Sequence, residues 1–473
     1  MPKQLLFILL LVVYYFSIAQ TECTGGMAGT YPCNDYDLMS HIDLSTLNAS
    51  LANDSWGWTD PSDNSEYAIV GLNNGTAFIN VTDPLNAVYL GKLPTATSNS
   101  TWRDIKVYNN HAYIVSEAGS HGMQVFDLTQ LRSVTSPPQT FSATYHFTDF
   151  GACHNIALNE DTGYAYAIGC NSFSGGPHFI DLSNPALPVS DGGYSTDGYT
   201  HDAQIVTYNG PDLAHVGKEI FLGSNGDEIV IVDVTDKSNP IKLSEISYPQ
   251  YGYVHQGWLT EDHVYFILGD ETDELNTGFN TRTMMFDFTD LDNPVYIDDY
   301  EGPTGAIDHN GYIKGNIYYQ SSYSRGVAML DVSDVQNGNL TEVGFFDTYP
   351  PNNNTNFSGV WNVYPFFSSN NIVVSDLDGG FFLIRQSGTL SIADNSINGF
   401  SLYPNPASSY TTIEMPNSKT ISNIKIYDIL GQILLDFNPE SFASTYQLDV
   451  SNYAFGTYIL RINNSESKKL IIE

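Results

Sequence analysis

The chain has 473 residues, and its 53 acidic against 17 basic side chains give a formal charge of −36. Nucleic acids and anionic membrane surfaces are polyanions, so this charge argues against both as partners and suits a soluble extracellular protein that could attract divalent cations. The 32 tyrosines and 25 phenylalanines favour β-structure, where aromatic rings pack on pleated surfaces.

The first element is an export signal, residues 1–20. Lys3 supplies a positive start, Leu5 to Phe16 is apolar, and Ser17-Ile18-Ala19-Gln20 offers small residues for cleavage. A membrane anchor is the alternative, but the apolar run is short for a bilayer, so no transmembrane helix is expected in the mature chain. Cys23 and Cys33 follow. Four cysteines in an exported chain suggest two disulfides. Cys23 and Cys33 are close neighbours, and Cys153 and Cys170 flank a turn at 159–163 that brings them opposite in a hairpin. Two buried free thiols are the competing reading for the second pair. The stretch 38–44 reads as a stray strand, expected to complete the last of the repeats that follow.

Those repeats are marked by Cys153-His154-Asn155, Thr200-His201-Asp202, Val254-His255-Gln256 and Asp308-His309-Asn310. The four histidines recur at intervals of 47, 54 and 54 residues. Trp102-Arg103-Asp104 and Val360-Trp361-Asn362 fit the same frame, and Ser55-Trp56-Gly57 fits it loosely, which makes seven units. Each continues with a second strand such as Val264-Tyr265-Phe266-Ile267. A third follows, clearest at Val230-Ile231-Val232-Asp233-Val234, then a turn with Asn, Asp or Pro. Four short strands in a unit of about fifty residues are the signature of a propeller blade. The expected fold is all-β: a seven-bladed β-propeller over residues 21–386 and a small β-sandwich after it. A β-solenoid or a double sandwich competes, but a displaced terminal strand favours a closed ring.

The third-strand run Ile229-Val230-Ile231-Val232-Asp233 resembles the LVIVD repeat. The wider runs Trp56-Gly57-Trp58-Thr59-Asp60, Thr200-His201-Asp202-Ala203-Gln204 and His255-Gln256-Gly257-Trp258-Leu259 resemble the choice-of-anchor B family of exported bacterial proteins, over roughly residues 25–386. That likeness implies no defined biochemical role. Residues 387–398 read as a linker and 399–473 as a separate domain. Tyr403-Pro404-Asn405-Pro406, Asp428-Ile429-Leu430-Gly431 and Gly456-Thr457-Tyr458 resemble the type A sorting domain of the type IX secretion system of Bacteroidota. A small carbohydrate-binding sandwich is the alternative. The resemblance implies the type IX machinery as a partner, a secreted or cell-surface location, and a tail that is removed.

In a propeller the first strands line the channel, so the repeat column Ser55, Arg103, His154, His201, His255, His309 and Trp361 should form a ring at its mouth. Neutral imidazoles converging on one point suit zinc, iron, copper or nickel, which makes His154, His201, His255 and His309 candidate metal ligands. Asn155, Asp202, Gln256 and Asn310, in the next column with Asp104, are expected to orient them; Asp104 joins them in the candidate ligand set. With Arg103 and Trp361 these residues form a candidate ligand-binding set, and an anion held by Arg103 and the histidines is a related reading. The bland alternative is a hydrogen-bonded plug, and Arg103 would repel a cation. Asp270-Glu271-Thr272-Asp273-Glu274 reads as a solvated acidic loop, with calcium the sharper alternative. His121, His146, His178, His215 and His263 are assigned to surface or packing. No nucleophile elbow or phosphate loop is present. Two functions compete: an exported binding or scaffold module for a protein, glycan or small ligand, and a metal-dependent enzyme or metal-binding protein centred on the histidines.

Overall fold

The strand Ile229–Asp233 shows why the repeats stack, since all five of its residues are buried. Ile229 and Ile231 share a core with Phe266 and Met284 of the following unit. Val230 and Val232 share one with Tyr166 and Phe179 of the preceding unit. Side chains alternate between the faces of a strand, so a run that is apolar at every position needs a neighbour on both sides.

The computed structural model describes residues 20–388, 400–415, 420–428, 433–439, 444–463 and 466–472. Residues 1–19 of the export signal and 389–398 of the linker lie outside the described residues. The chain divides into two compact units, Met1–Thr389 and Leu390–Glu473. Among the described residues no helix is long and apolar enough to cross a membrane.

In the first unit the described residues form seven sheets with a common four-stranded plan. Their first strands are Ala52–Thr59, Arg103–Tyr108, Asn155–Asn159, Asp202–Thr207, Val254–Leu259, Gly311–Lys314 and Val360–Tyr364. Each lies against the next, and the last lies against the first, so the strands surround a central channel. Seven apolar clusters fill the spaces between successive sheets.

The ring is closed by the start of the chain. Strand Tyr36–Ile42 pairs antiparallel with Gly380–Gln386, setting Leu38 opposite Ile384 and His41 opposite Phe382. The segment before it braces the neighbouring sheet: Tyr31–Asn34 pairs with the outer strand Thr341–Phe346, with Cys33 opposite Phe346. Disulfides join Cys23 to Cys33 and Cys153 to Cys170. The second sheet departs from the common plan. Between its third strand and its outer one the chain crosses to the first sheet, where Gln139–Thr140 adds a parallel edge to Val88–Pro94.

The described residues of the second unit form a three-stranded sheet, Ser401–Tyr403, Tyr410–Glu414 and Thr445–Asp449. Its other sheet has four strands, Ile424–Tyr427, Ile433–Phe437, Gly456–Ile462 and Glu466–Ile472. Phe400, Ile413, Ile426, Leu448 and Leu460 form part of its core.

Candidate functional site

The four histidines sit where the chain enters the first strands of the third to sixth sheets. They form a continuous arc. Ring centroids are 4.2 Å apart from His154 to His201, 4.3 Å from His201 to His255 and 4.3 Å from His255 to His309. Trp361 extends the arc, 4.5 Å from His309. Local sterics protect its start: Gly169 has a φ of +64°, and a Cβ there would lie 2.7 Å from that of His154.

Three of the rings are oriented by a bond from Nδ1. His201 donates to the His255 carbonyl at 3.3 Å and His309 to the Trp361 carbonyl at 2.7 Å. His154 donates to the Glu117 carboxylate at 2.6 Å. A carbonyl or carboxylate only accepts, so in the neutral ring each bond fixes the proton on Nδ1 and leaves Nε2 with a lone pair. His255 is 1% exposed, and among the described residues neither of its ring nitrogens has a hydrogen-bond partner.

The loop after the second strand of the fifth sheet supplies a carboxylate. Glu271 accepts from the Tyr323 hydroxyl at 2.8 Å. It stands 3.6 Å from His255 Nε2 and 3.7 Å from His309 Nε2. Tyr253 packs on His201 and Tyr323 on His309, each with centroids 5.1 Å apart. Burial dominates the electrostatics. It holds His201 and His255 well below the usual imidazole range, with neighbouring histidines adding to the effect, and lowers His309 to about 3. It raises Glu271 to about 7 against the opposing Tyr323 bond. His201, His255 and His309 are therefore neutral imidazoles at neutral pH.

The reading of 270–274 as a solvated loop is corrected. Asp270, Asp273 and Glu274 are buried, and Asp273–Thr277 is a short helix. The Asp270 carboxylate accepts from the backbone amides of Gly252, Tyr253, Thr272 and Asp273 and from the Tyr248 hydroxyl, so it ties the loop to the neighbouring crossover. Glu271 is the member that faces the histidines. Glu117 occupies the same place in its own unit, directly after a second strand.

The next repeat column forms a belt of bonds, most of them between neighbouring first strands, with Asn310 of the sixth sheet reaching Asp54 of the first. Asp104 accepts from the Ile156 amide at 2.8 Å, and Gln256 accepts from the Gly311 amide at 2.9 Å. Asn155 donates to the His201 carbonyl at 3.0 Å. Asn310 donates to Asp54 at 3.0 Å, and Asn362 donates to Asp54 at 2.8 Å and to the Ser55 carbonyl at 2.6 Å. Asp202 accepts from the adjoining Ala203 amide. None of these bonds reaches a histidine ring nitrogen, so the expected orienting role passes to backbone carbonyls and Glu117. Lys106 lies at the centre of this layer, 2.7 Å from Asp104. Burial alone would lower it, but Asp104, Asp54 and Asp202 raise it. Burial raises Asp202 to about 7, opposed by Lys106.

Arg103 is placed apart from the arc. Its guanidinium donates to the Leu72 carbonyl at 3.1 Å, His121 at 3.0 Å and the Thr95 hydroxyl at 2.8 Å. All three nitrogens bond to groups of the protein, and the side chain is 1% exposed, so the expectation that Arg103 faces a ligand is corrected. His121 is buried by that contact, and burial with the nearby Arg103 charge lowers it to about 4. His178 is likewise a packing residue, held between the hydroxyls of Ser172 and Ser190. His215 lies in a separate cluster with Asp212 and Asp292. At the far end of the first strands Trp56, Lys106, Gln204 and Trp258 line a cavity of about 130 Å³.

Residues 212–246 match the LVIVD repeat, and residues 401–473 match the family described as Secretion system C-terminal sorting domain. No curated protein matches the chain. Among solved structures, PorZ, an essential surface component of the type IX secretion system of Porphyromonas gingivalis, is similar at 13% identity and a TM-score of 0.44. The match covers 89% of this chain, which spans 59% of that one. A protein from Lactobacillus plantarum is similar at 13% identity and a TM-score of 0.45, covering 84% of this chain and 98% of that one. The C-terminal WD40 domain of Sif2 is similar at 9% identity and a TM-score of 0.47, covering 75% and 99%. A sorting domain directs its chain to the type IX machinery and so to secretion or cell-surface attachment. The chain is a secreted or surface-attached β-propeller protein that carries the LVIVD repeat and ends in a secretion system C-terminal sorting domain.

Proposed function

We propose that the protein is an extracellular binding module whose ligand seat is the histidine mouth of the channel. One observation carries this reading. The deeper belt joins neighbouring strands to one another, whereas the mouth leaves the buried His255 ring without a partner beside Glu271 and two tyrosines. Buried polar groups are nearly always hydrogen-bonded, so an unfilled set in a ring otherwise bonded across its seams supports a place for something else. The tyrosines add apolar faces with polar tips, the usual lining of a small-ligand site.

The test uses the full-length protein, incubated with a size-selected extract of the producing culture and analysed by native mass spectrometry. A bound small molecule, lost on Tyr253→Ala at unchanged thermal stability, is the expected result. Equal capture by the wild type and by the variant would place the ligand elsewhere on the propeller.

A further inference from the structure

The mouth has the geometry of a metal site, and three independent observations point there. One ligating atom each from His201, His255 and Glu271 lies within 4.8 Å of the others. Glu271 is 3.6 Å from His255 Nε2 and 3.7 Å from His309 Nε2. These separations exceed an ordinary hydrogen bond of about 2.7–3.2 Å. They approach the edge, about 3.4 Å, of a tetrahedron of ligands about 2.0–2.1 Å from one ion. Next, His255 is buried with both ring nitrogens unpartnered, which costs free energy unless something fills the place. Last, the Nδ1 bonds of His201 and His309 to backbone carbonyls leave Nε2 bare, the outer-shell arrangement that fixes histidine ligands in metal sites.

We propose that His201, His255, His309 and Glu271 bind one divalent transition ion of the zinc class at the axial mouth. The proposal rests on the reading of the mouth as the ligand seat and names its first occupant. Three imidazoles and one carboxylate select zinc, cobalt, nickel, copper or iron over calcium and magnesium, which take oxygen ligands. Arg103, in the same repeat column, bonds to Leu72, Thr95 and His121 and does not compete for the place. A hydrogen-bonded plug would pair the His255 ring, and the structure leaves it unpaired.

The experiment uses the full-length chain without a histidine tag, loaded with zinc, dialysed, and measured by elemental mass spectrometry. One zinc per chain is expected. Glu271→Gln and His255→Ala should each weaken binding at least tenfold, while His215→Ala, in the separate cluster, retains the ion. Thermal unfolding supplies a second readout that does not depend on how stable a variant is: zinc should raise the midpoint of the wild type and leave that of Glu271→Gln unmoved. A wild-type chain that holds none of zinc, cobalt or copper after dialysis overturns the proposal. So does retention of zinc at wild-type affinity by both variants. A chain that binds zinc but no small molecule at the mouth refutes the binding-module reading alone, and one that binds a small molecule but no metal refutes the metal site alone.

Discussion

Arg103 and His255 share a column of the repeat and serve opposite ends. The guanidinium joins the Leu72 carbonyl, Thr95 and His121 in one buried knot, whereas the imidazole makes no hydrogen bond among the described residues. Arg103→Ala would leave those partners buried and unpaired, a loss of about 3 kcal/mol that denaturant unfolding would measure. Arg103→Lys should recover little of it, because an ammonium cannot reproduce three divergent bonds. Neither change should alter zinc content, which separates a structural residue from a ligand. The histidine column was legible in the sequence because a rare residue recurred at a fixed place in the repeat. Glu271 was not, since it belongs to a different column and was masked by four acidic or polar neighbours. Its signal was positional: like Glu117, it directly follows a second strand. Nothing in the sequence showed that Arg103 would bond away from the arc, because side-chain direction depends on loops from two sheets.

At the scale of elements, the third strands were readable because both faces are buried and the apolar run is unbroken, as at Ile229–Asp233. The excursion at 139–140 was hidden, since it adds only Gln139–Thr140 to a neighbour's edge and carries no apolar pattern. The N-terminal brace depends on covalent closure as well as pairing. Cys23 and Cys33 are separated by 10 residues, and their bond holds the strand Tyr31–Asn34 next to the closing strand. Replacing both by serine should lower stability by about 2 kcal/mol, read as a reduced unfolding midpoint under oxidising conditions. Under reducing conditions the wild type and the variant should converge, provided Cys153–Cys170 is replaced in both. A difference that persists there would mean the cysteines act through packing alone.

For the whole molecule, acidity is the governing property. Burial raises Asp347 and Asp376 to about 6, and Asp54 rises well above the usual range through burial and the nearby Asp104. Such an acid keeps its proton in the folded chain at a pH where the unfolded chain has lost it. Between about pH 4 and 6 the folded state therefore binds more protons, and stability falls as pH rises. Hydrogen-bonded acids act the other way: Asp43 and Asp60 are lowered to about 2, chiefly by Thr46 and Arg132. Their contribution is present above about pH 4 and disappears below it. The thermal midpoint should consequently be higher near about pH 5 than near about pH 8 and collapse below about pH 3. A midpoint that rises steadily from pH 5 to pH 8 would show that the buried carboxyls are ionised in the folded chain.

The pairing of Tyr36 with Gln386 has one more consequence. Both ends of the propeller lie side by side in a single sheet, so the order in which the chain visits the sheets is a matter of where it was cut. A circular permutant that joins residue 388 to residue 21 through a short linker and opens at the crossover around Tyr251 should rebuild the same channel and the same histidine arc. By the same geometry, severing the chain just after Ser387 removes no strand from the ring. A chain ending there keeps every strand of the ring, so the sorting domain is not needed to complete it.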